Sequence, residues 1–268
     1  MNYFSEDAML RSEGAVHETG LDAAALKPAE CDVSRGADLP FNRIVIDYEG
    51  RANLPERHTL ERLTKQKEVY LTTPVRAKGF DPLGDDSLLG ELPAGIRRVL
   101  VAGHSAYLTE GERQKAVAPR MGKAVENVPE AWVGTEGVER IALATGGTQF
   151  ELLGRSTERD LRALRTAGFS GKIALYAPTV LTDDEDAVLD ALGGYVARRR
   201  PVVRALPTDA PTDASAVGRA REILLAASTD FALVGAPERV REQIATLREV
   251  GADTVVGYPA RGIESFLD

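Results

Sequence analysis

Cysteine is almost missing from this chain. With Cys31 alone, no intramolecular disulfide forms and no cysteine-rich zinc site assembles. Histidine is nearly as scarce: His17, His58 and His104 are scattered and do not read as a zinc ligand set. No apolar run approaches the roughly 20 residues that a membrane-spanning helix needs. The first residues, MNYFSEDAMLRSEG, have neither the basic start nor the apolar core of a secretory leader. The expectation is a soluble, cytoplasmic protein without membrane contact. Neither G-x-G-x-x-G nor G-x-x-x-x-G-K-[ST] occurs, which removes the usual dinucleotide fingerprint and the P-loop. Lysine is rare as well. Only seven of the 33 basic residues are lysine, and 41 acidic residues leave a net charge of −8. An acidic, lysine-poor chain suggests a GC-rich genome and fits a high-salt cytoplasm. Such a balance speaks against nucleic-acid binding, whose phosphate contacts need clustered basic residues. The one basic cluster, Arg198-Arg199-Arg200, closes a predicted helix, where cations suit the helix dipole.

What is present reads as α/β. The 268 residues are 43% hydrophobic, enough for one large globular domain without staples. Residues 1–20 are polar and aperiodic and read as a flexible N-terminal arm, with the folded domain over 21–268. From there, short β-branched runs alternate with segments of helical spacing. The clearest strands are 43–47, 68–72, 97–101, 140–143, 172–176, 231–234 and 254–256, with Ala23-Ala24-Ala25-Leu26 as a weaker first candidate. Near-continuous apolar runs of this length are what parallel strands show when both faces are covered. Helical patterns fill 55–66, 109–127, 156–167, 183–199, 215–227 and 237–250. Seven clear strands and one weak one, alternating with helical segments, come close to the eight of a (β/α)8 TIM barrel, with an open doubly wound sheet as the rival.

A barrel of this kind keeps its site at the C-terminal ends of the strands, so the strand list becomes a residue list. Asp47 and Glu49, two residues apart, form a carboxylate pair able to act as acid and base. His104 is the one histidine at a predicted strand end and the first choice for moving a proton. Thr145, Gly146, Gly147 and Thr148 follow a predicted strand and suit a phosphate. Gly235 and Gly257 end the last two strands, where barrels often hold phosphate. Lys27, Arg51, Arg76, Tyr107, Tyr176 and Arg261 complete a polar mouth able to hold a small-molecule substrate. Each has a plainer reading as a helix cap, a tight turn or a packed residue.

The last third carries a further pattern. It runs from Lys172-Ile173-Ala174-Leu175-Tyr176-Ala177-Pro178 through Asp183-Asp184-Glu185-Asp186-Ala187. It resumes at Leu233-Val234-Gly235-Ala236-Pro237-Glu238-Arg239-Val240 and ends with Val250-Gly251-Ala252-Asp253. This resembles the late portion of luciferase-like monooxygenases and deazaflavin (F420)-dependent reductases, and the Ala144-Thr145-Gly146-Gly147 stretch resembles their segment near the cofactor phosphate. The resemblance spans roughly residues 140–260, with Ala236 where the family usually has Ser or Thr. It implies a TIM barrel, F420 or FMN as cofactor, hydride transfer and often a homodimer. Two other readings stay open: a cofactor-free lyase or aldolase acting on a phosphorylated metabolite with Lys27 as a Schiff-base candidate, and a non-catalytic barrel that binds a partner.

Overall fold

The computed structural model describes residues 16–102, 117–135 and 143–267. Eight parallel strands close a ring. They are β1 (Ala23–Leu26), β2 (Arg43–Ile46), β3 (Glu68–Pro74), β4 (Ile96–Ala102), β5 (Trp132–Thr135), β6 (Thr148–Leu152), β7 (Ile173–Val180) and β9 (Thr254–Pro259). Each pairs with the next, β7 pairs directly with β9, and β9 returns to β1 through Ala23↔Val256 and Ala24↔Gly257. The two-residue β8 (Leu233–Val234) pairs only with Thr179 and Val180 at the end of β7. Helices α1 (Arg57–Thr64), α2 (Ser87–Glu91), α3 (Val117–Asn127), α4 (Thr157–Thr166), α5 (Glu185–Val196), α6 (Arg200–Ala205), α7 (Gly218–Phe231) and α8 (Pro237–Glu249) lie between them. This is the (β/α)8 barrel that the alternation predicts.

The two faces of each strand do different work. Ala24, Leu26, Ile44, Ile46 and Leu71 face outward into one core layer, and Ile173, Leu175 and Val255 into another. Ala23, Ala25, Val45, Tyr70, Val99, Trp132, Phe150, Ala174, Tyr176 and Val256 face inward and fill the lumen. Because side chains alternate with period two, this assignment fixes which polar residues reach each end of the lumen. At the N-terminal end, two aspartates tie strands together. Asp22 accepts from the Val255 N–H and from Arg248, and Asp253 accepts from the Ile173 N–H and from Arg165.

The structure differs from the sequence expectation in four places. The fifth and sixth strands are 132–135 and 148–152, not 140–143. Residues 140–142 lie outside the described residues, and Leu143 sits in a helical turn with Ala144 and Thr145. The expected strand 231–234 shrinks to two residues, because α7 runs on through Phe231. The expected helix over 183–199 ends at Val196, and a separate α6 starts at Arg200. Residues 16–19, placed in the flexible arm, form a 3-10 turn packed on α8, with Val16 and Thr19 buried.

Two neighbouring glycines of α5 test the packing. A Cβ on Gly193 would run into the Thr212 carbonyl, whereas one on Gly194 would meet open space. Gly193→Ala is therefore expected to lower stability by about 1–3 kcal/mol. Gly194→Ala is expected to raise it by roughly 0.5–1 kcal/mol through helix propensity. Urea unfolding of both variants checks this, and a destabilised Gly194→Ala would contradict it.

Candidate active site at the C-terminal mouth

The inward files of five strands run on into the mouth. Val45 leads to Asp47, Tyr70 to Thr72, Ala174 to Tyr176, Val256 to Tyr258 and Ala25 to Lys27. The Tyr176 hydroxyl donates to Asp47 Oδ2 at 2.9 Å. Tyr176 and Tyr258 stack with ring centres 6.2 Å apart and planes 13° from parallel. Lys27 Nζ lies 3.9 Å from the Tyr258 ring centre and 3.2 Å from Glu30 Oε1, and the Tyr258 hydroxyl donates to Glu30. Thr72 Oγ1 accepts from the Tyr48 N–H at 2.6 Å, which fixes the turn that carries Asp47.

Burial sets the protonation states. Asp47 is enclosed by protein but keeps part of its surface open at the mouth. Desolvation pushes its carboxyl up to about 6, against the opposing pull of the Tyr176 hydrogen bond and of Lys27. The nearby carboxylates Glu49 and Glu30 push in the same direction as burial. Burial first, and then Asp47, drives the Tyr176 phenol well above its ordinary value; burial and then Glu30 do the same for Tyr258. Both phenols therefore stay protonated as donors across the neutral range. The result is a partly exposed carboxyl that exchanges its proton near neutrality, oriented by a phenol that does not.

The two expected catalytic carboxylates take separate roles. Asp47 faces the lumen, while Glu49 Oε2 accepts from the Ala29 N–H at 2.8 Å and braces the turn after β1. Lys27 is occupied by Glu30 and by the Tyr258 ring, contacts that a Schiff-base lysine would have to give up. Arg51 lies exposed, 3.5 Å from Glu91. Arg76 pairs with Asp81, which Arg120 also grips. Arg261 is exposed and has no ion pair among the described residues. His104 and Tyr107 lie outside the described residues.

The expected phosphate residues are not gathered at the mouth. Thr145 belongs to the helical turn before β6, and Gly146, Gly147 and Thr148 lead into that strand. They therefore sit at the N-terminal end of the barrel, opposite Asp47. The displacement follows from the strand reassignment, since these residues precede a strand and do not end one. The Gly235 N–H donates to the Val180 carbonyl, and the Ala236 N–H faces Asp183 at 3.4 Å, so those amides already have acceptors. Gly257 faces outward, where a Cβ would lie 2.6 Å from Leu21 and 3.1 Å from Phe266; it is a packing glycine. Tyr258 and Glu30 join the mouth although neither stands out in the amino-acid sequence. The signal for their partnership is the pairing of β1 with β9.

A family model described as a family of unknown function (DUF7388) matches residues 16–266. The chain belongs to this family. No curated protein matches it. Among solved structures, it is similar to the coenzyme F420-dependent tetrahydromethanopterin reductase from Methanopyrus kandleri, at 15% identity and a TM-score of 0.54. That match covers 91% of this chain and 96% of the reductase. It is also similar to an F420-dependent secondary alcohol dehydrogenase in complex with an F420-acetone adduct, at 12% identity, a TM-score of 0.56 and the same coverage of both chains. At these identities, the likeness is one of fold.

The raised Asp47 value makes a stability prediction. An aspartate that titrates at about 6 when folded binds its proton more tightly than in the unfolded chain, near ~3.9. Its contribution is full below about pH 4, falls as pH rises through about 6, and levels off above it at a cost of roughly 3 kcal/mol or less. Asp47→Asn, which removes the charge and keeps an acceptor for Tyr176, is expected to melt above the parent protein at pH 8 and level with it at pH 4. Thermal unfolding across this range checks the sign. A variant that gains nothing at pH 8 would contradict it.

Proposed function

We propose that this protein is a luciferase-like barrel oxidoreductase that transfers a hydride, with F420 or a reduced flavin, to or from a small molecule bound at the mouth. The observation that supports it is the Tyr176–Asp47 hydrogen bond at the C-terminal end of a barrel whose solved neighbours are F420-dependent enzymes. The mouth residues fit the ring part of such a cofactor. The stacked Tyr176–Tyr258 pair gives a planar wall, and Asp47 stands beside it with an exchangeable proton. The phosphate would fall to the rim cations Arg51, Arg261 and Lys27, since the amides at Gly235 and Ala236 already have acceptors.

The cofactor, when bound, supplies the hydride chemistry, and the chain supplies orientation and the proton. Below about pH 6 Asp47 holds the proton, which it can deliver to a substrate oxygen or nitrogen at the mouth; above that pH it accepts one. Tyr176 donates throughout and keeps Oδ2 turned into the lumen, leaving the other oxygen for the substrate. Lys27 offsets part of the negative charge that Asp47, Glu49 and Glu30 concentrate there.

The test is a fluorescence titration of the purified protein with F420, FMN and FAD in low and in molar salt. Saturable micromolar binding of one of them is expected. With a cofactor and substrate in hand, Asp47→Asn is expected to lower kcat by about 10²–10⁴-fold with little change in cofactor affinity. No binding in either salt regime, with the fold intact by circular dichroism, would overturn the proposal.

A further inference from the structure

The opposite end of the lumen holds a second polar site that the mouth does not use. The inward positions at the starts of the strands are Arg43 on β2, Glu68 on β3, Arg97 on β4, Thr148 on β6 and Thr254 on β9, with Lys172 just before β7. Arg43, Arg97, Lys172, Thr148 and Thr254 line a cavity of about 510 Å³ together with Tyr70, Trp132, Glu130, Gly146 and Gly147. Its floor is aromatic: Tyr70 and Trp132 are almost fully buried and stack with ring centres 4.1 Å apart.

The cations here outnumber their partners. Arg43 Nε and Arg97 Nη1 share the single carboxylate of Glu68, at 2.7 and 2.8 Å. Arg97 Nη1 also reaches the Tyr70 hydroxyl at 3.4 Å. Each guanidinium has five N–H donors, so most remain without an acceptor among the described residues. Lys172 is exposed and has no ion pair among them. Glu130 acts on Arg97 only at longer range. In a chain of net charge −8, a pocket of three cations against two carboxylates is a local reversal.

The Arg43 guanidinium is also fixed in place. It lies 5.5 Å from the Trp132 ring centre and 5.7 Å from that of Tyr70, so cation–π attraction orients it before any ligand arrives. At the lip, Gly146 has φ +74° with open space where a side chain would stand. A Cβ on Gly147 would press on the Ala131 carbonyl, so this glycine lets the loop backbone pack closely beside the start of β5.

We propose that this basal pocket binds a small oxyanion of the phosphate class between Arg43, Arg97 and Lys172. A tetrahedral anion with several acceptor oxygens matches two guanidinium forks and an ammonium better than a single carboxylate does. Gly146 and Gly147 at its lip lie on the same cavity, at the end of the barrel away from Asp47. The proposal does not depend on the reading of the mouth.

Trp132 is the only tryptophan in the chain, so its emission reports on this pocket directly. The protein is titrated with inorganic phosphate and with glycerol 3-phosphate at fixed ionic strength, with chloride as the control. A saturable change in emission is expected with at least one phosphate compound and not with chloride. Tighter binding of the ester identifies a phosphorylated metabolite as the ligand type, and tighter binding of inorganic phosphate the free ion. Lys172→Gln, an exposed and unpaired position, is expected to fold normally and to weaken binding about tenfold, losing one charge-assisted contact. Asp47→Asn is expected to leave the titration unchanged. An unsaturable or chloride-matched response, or an identical curve in Lys172→Gln, would overturn the proposal and leave Arg43, Glu68 and Arg97 as an ion-paired plug.

Discussion

An eight-stranded parallel barrel has a lumen just wide enough for side chains, and here that lumen is filled by a file of aromatic rings. Tyr70 stacks on Trp132, Trp132 lies 5.7 Å from Phe150, Phe150 meets Tyr176 edge-on at 6.0 Å, and Tyr176 stacks on Tyr258. Few aromatic residues exist in this chain, and five of them occupy this one file. The packing leaves no room for ionised groups in the middle. Charge is therefore sorted to the two ends: carboxylates and Lys27 at the C-terminal mouth, and Arg43, Arg97 and Lys172 at the base. Half-buried Tyr258 ends the file at the mouth, and the bond from the buried Tyr176 hydroxyl to Asp47 joins the apolar packing to the carboxyl there.

That sorting explains how two polar ends coexist in one lumen. Each site has an aromatic wall on its inner side, which lowers the local dielectric and strengthens the charges against it. At the mouth, the consequence is a carboxyl that keeps its proton to about pH 6. At the base, the consequence is a pair of guanidiniums held to one carboxylate over a Tyr–Trp stack. The protein also uses its own carboxylates where related barrel logic expects an anion. Asp183 stands before the N-terminus of α8, accepting from Ala236 and lying 3.5 Å from Arg239.

Most of the architecture is legible in the amino-acid sequence, because β1 to β4 and β7 are short apolar runs and the helices carry clear stripes. β5 and β6 escape that reading for physical reasons. β5 is four residues long and contains Gly134, and β6 alternates Thr148, Phe150 and Leu152 with outward Gln149 and Glu151. Missing them moves the Gly146–Gly147 pair from the end of one strand to the start of another, and so from one end of the barrel to the other. Asp47, Lys27 and Tyr176 are legible at the mouth because strand ends follow from apolar runs. The basal cations are not, because the strand-end rule looks only one way. Their signal is a charged residue two positions before an inward apolar one: Arg43 before Val45, Glu68 before Tyr70, Arg97 before Val99.

The most direct test of this account is the titration of Asp47 itself, followed by carbon NMR on protein labelled at the aspartate carboxyl carbons and assigned with Asp47→Asn. A carboxyl enclosed beside Tyr176 gives a midpoint at about 6. A midpoint near the ordinary ~3.9 would mean that the mouth is solvated like any surface loop, and that the Asp47–Tyr176 pair is not the proton-handling centre of the barrel.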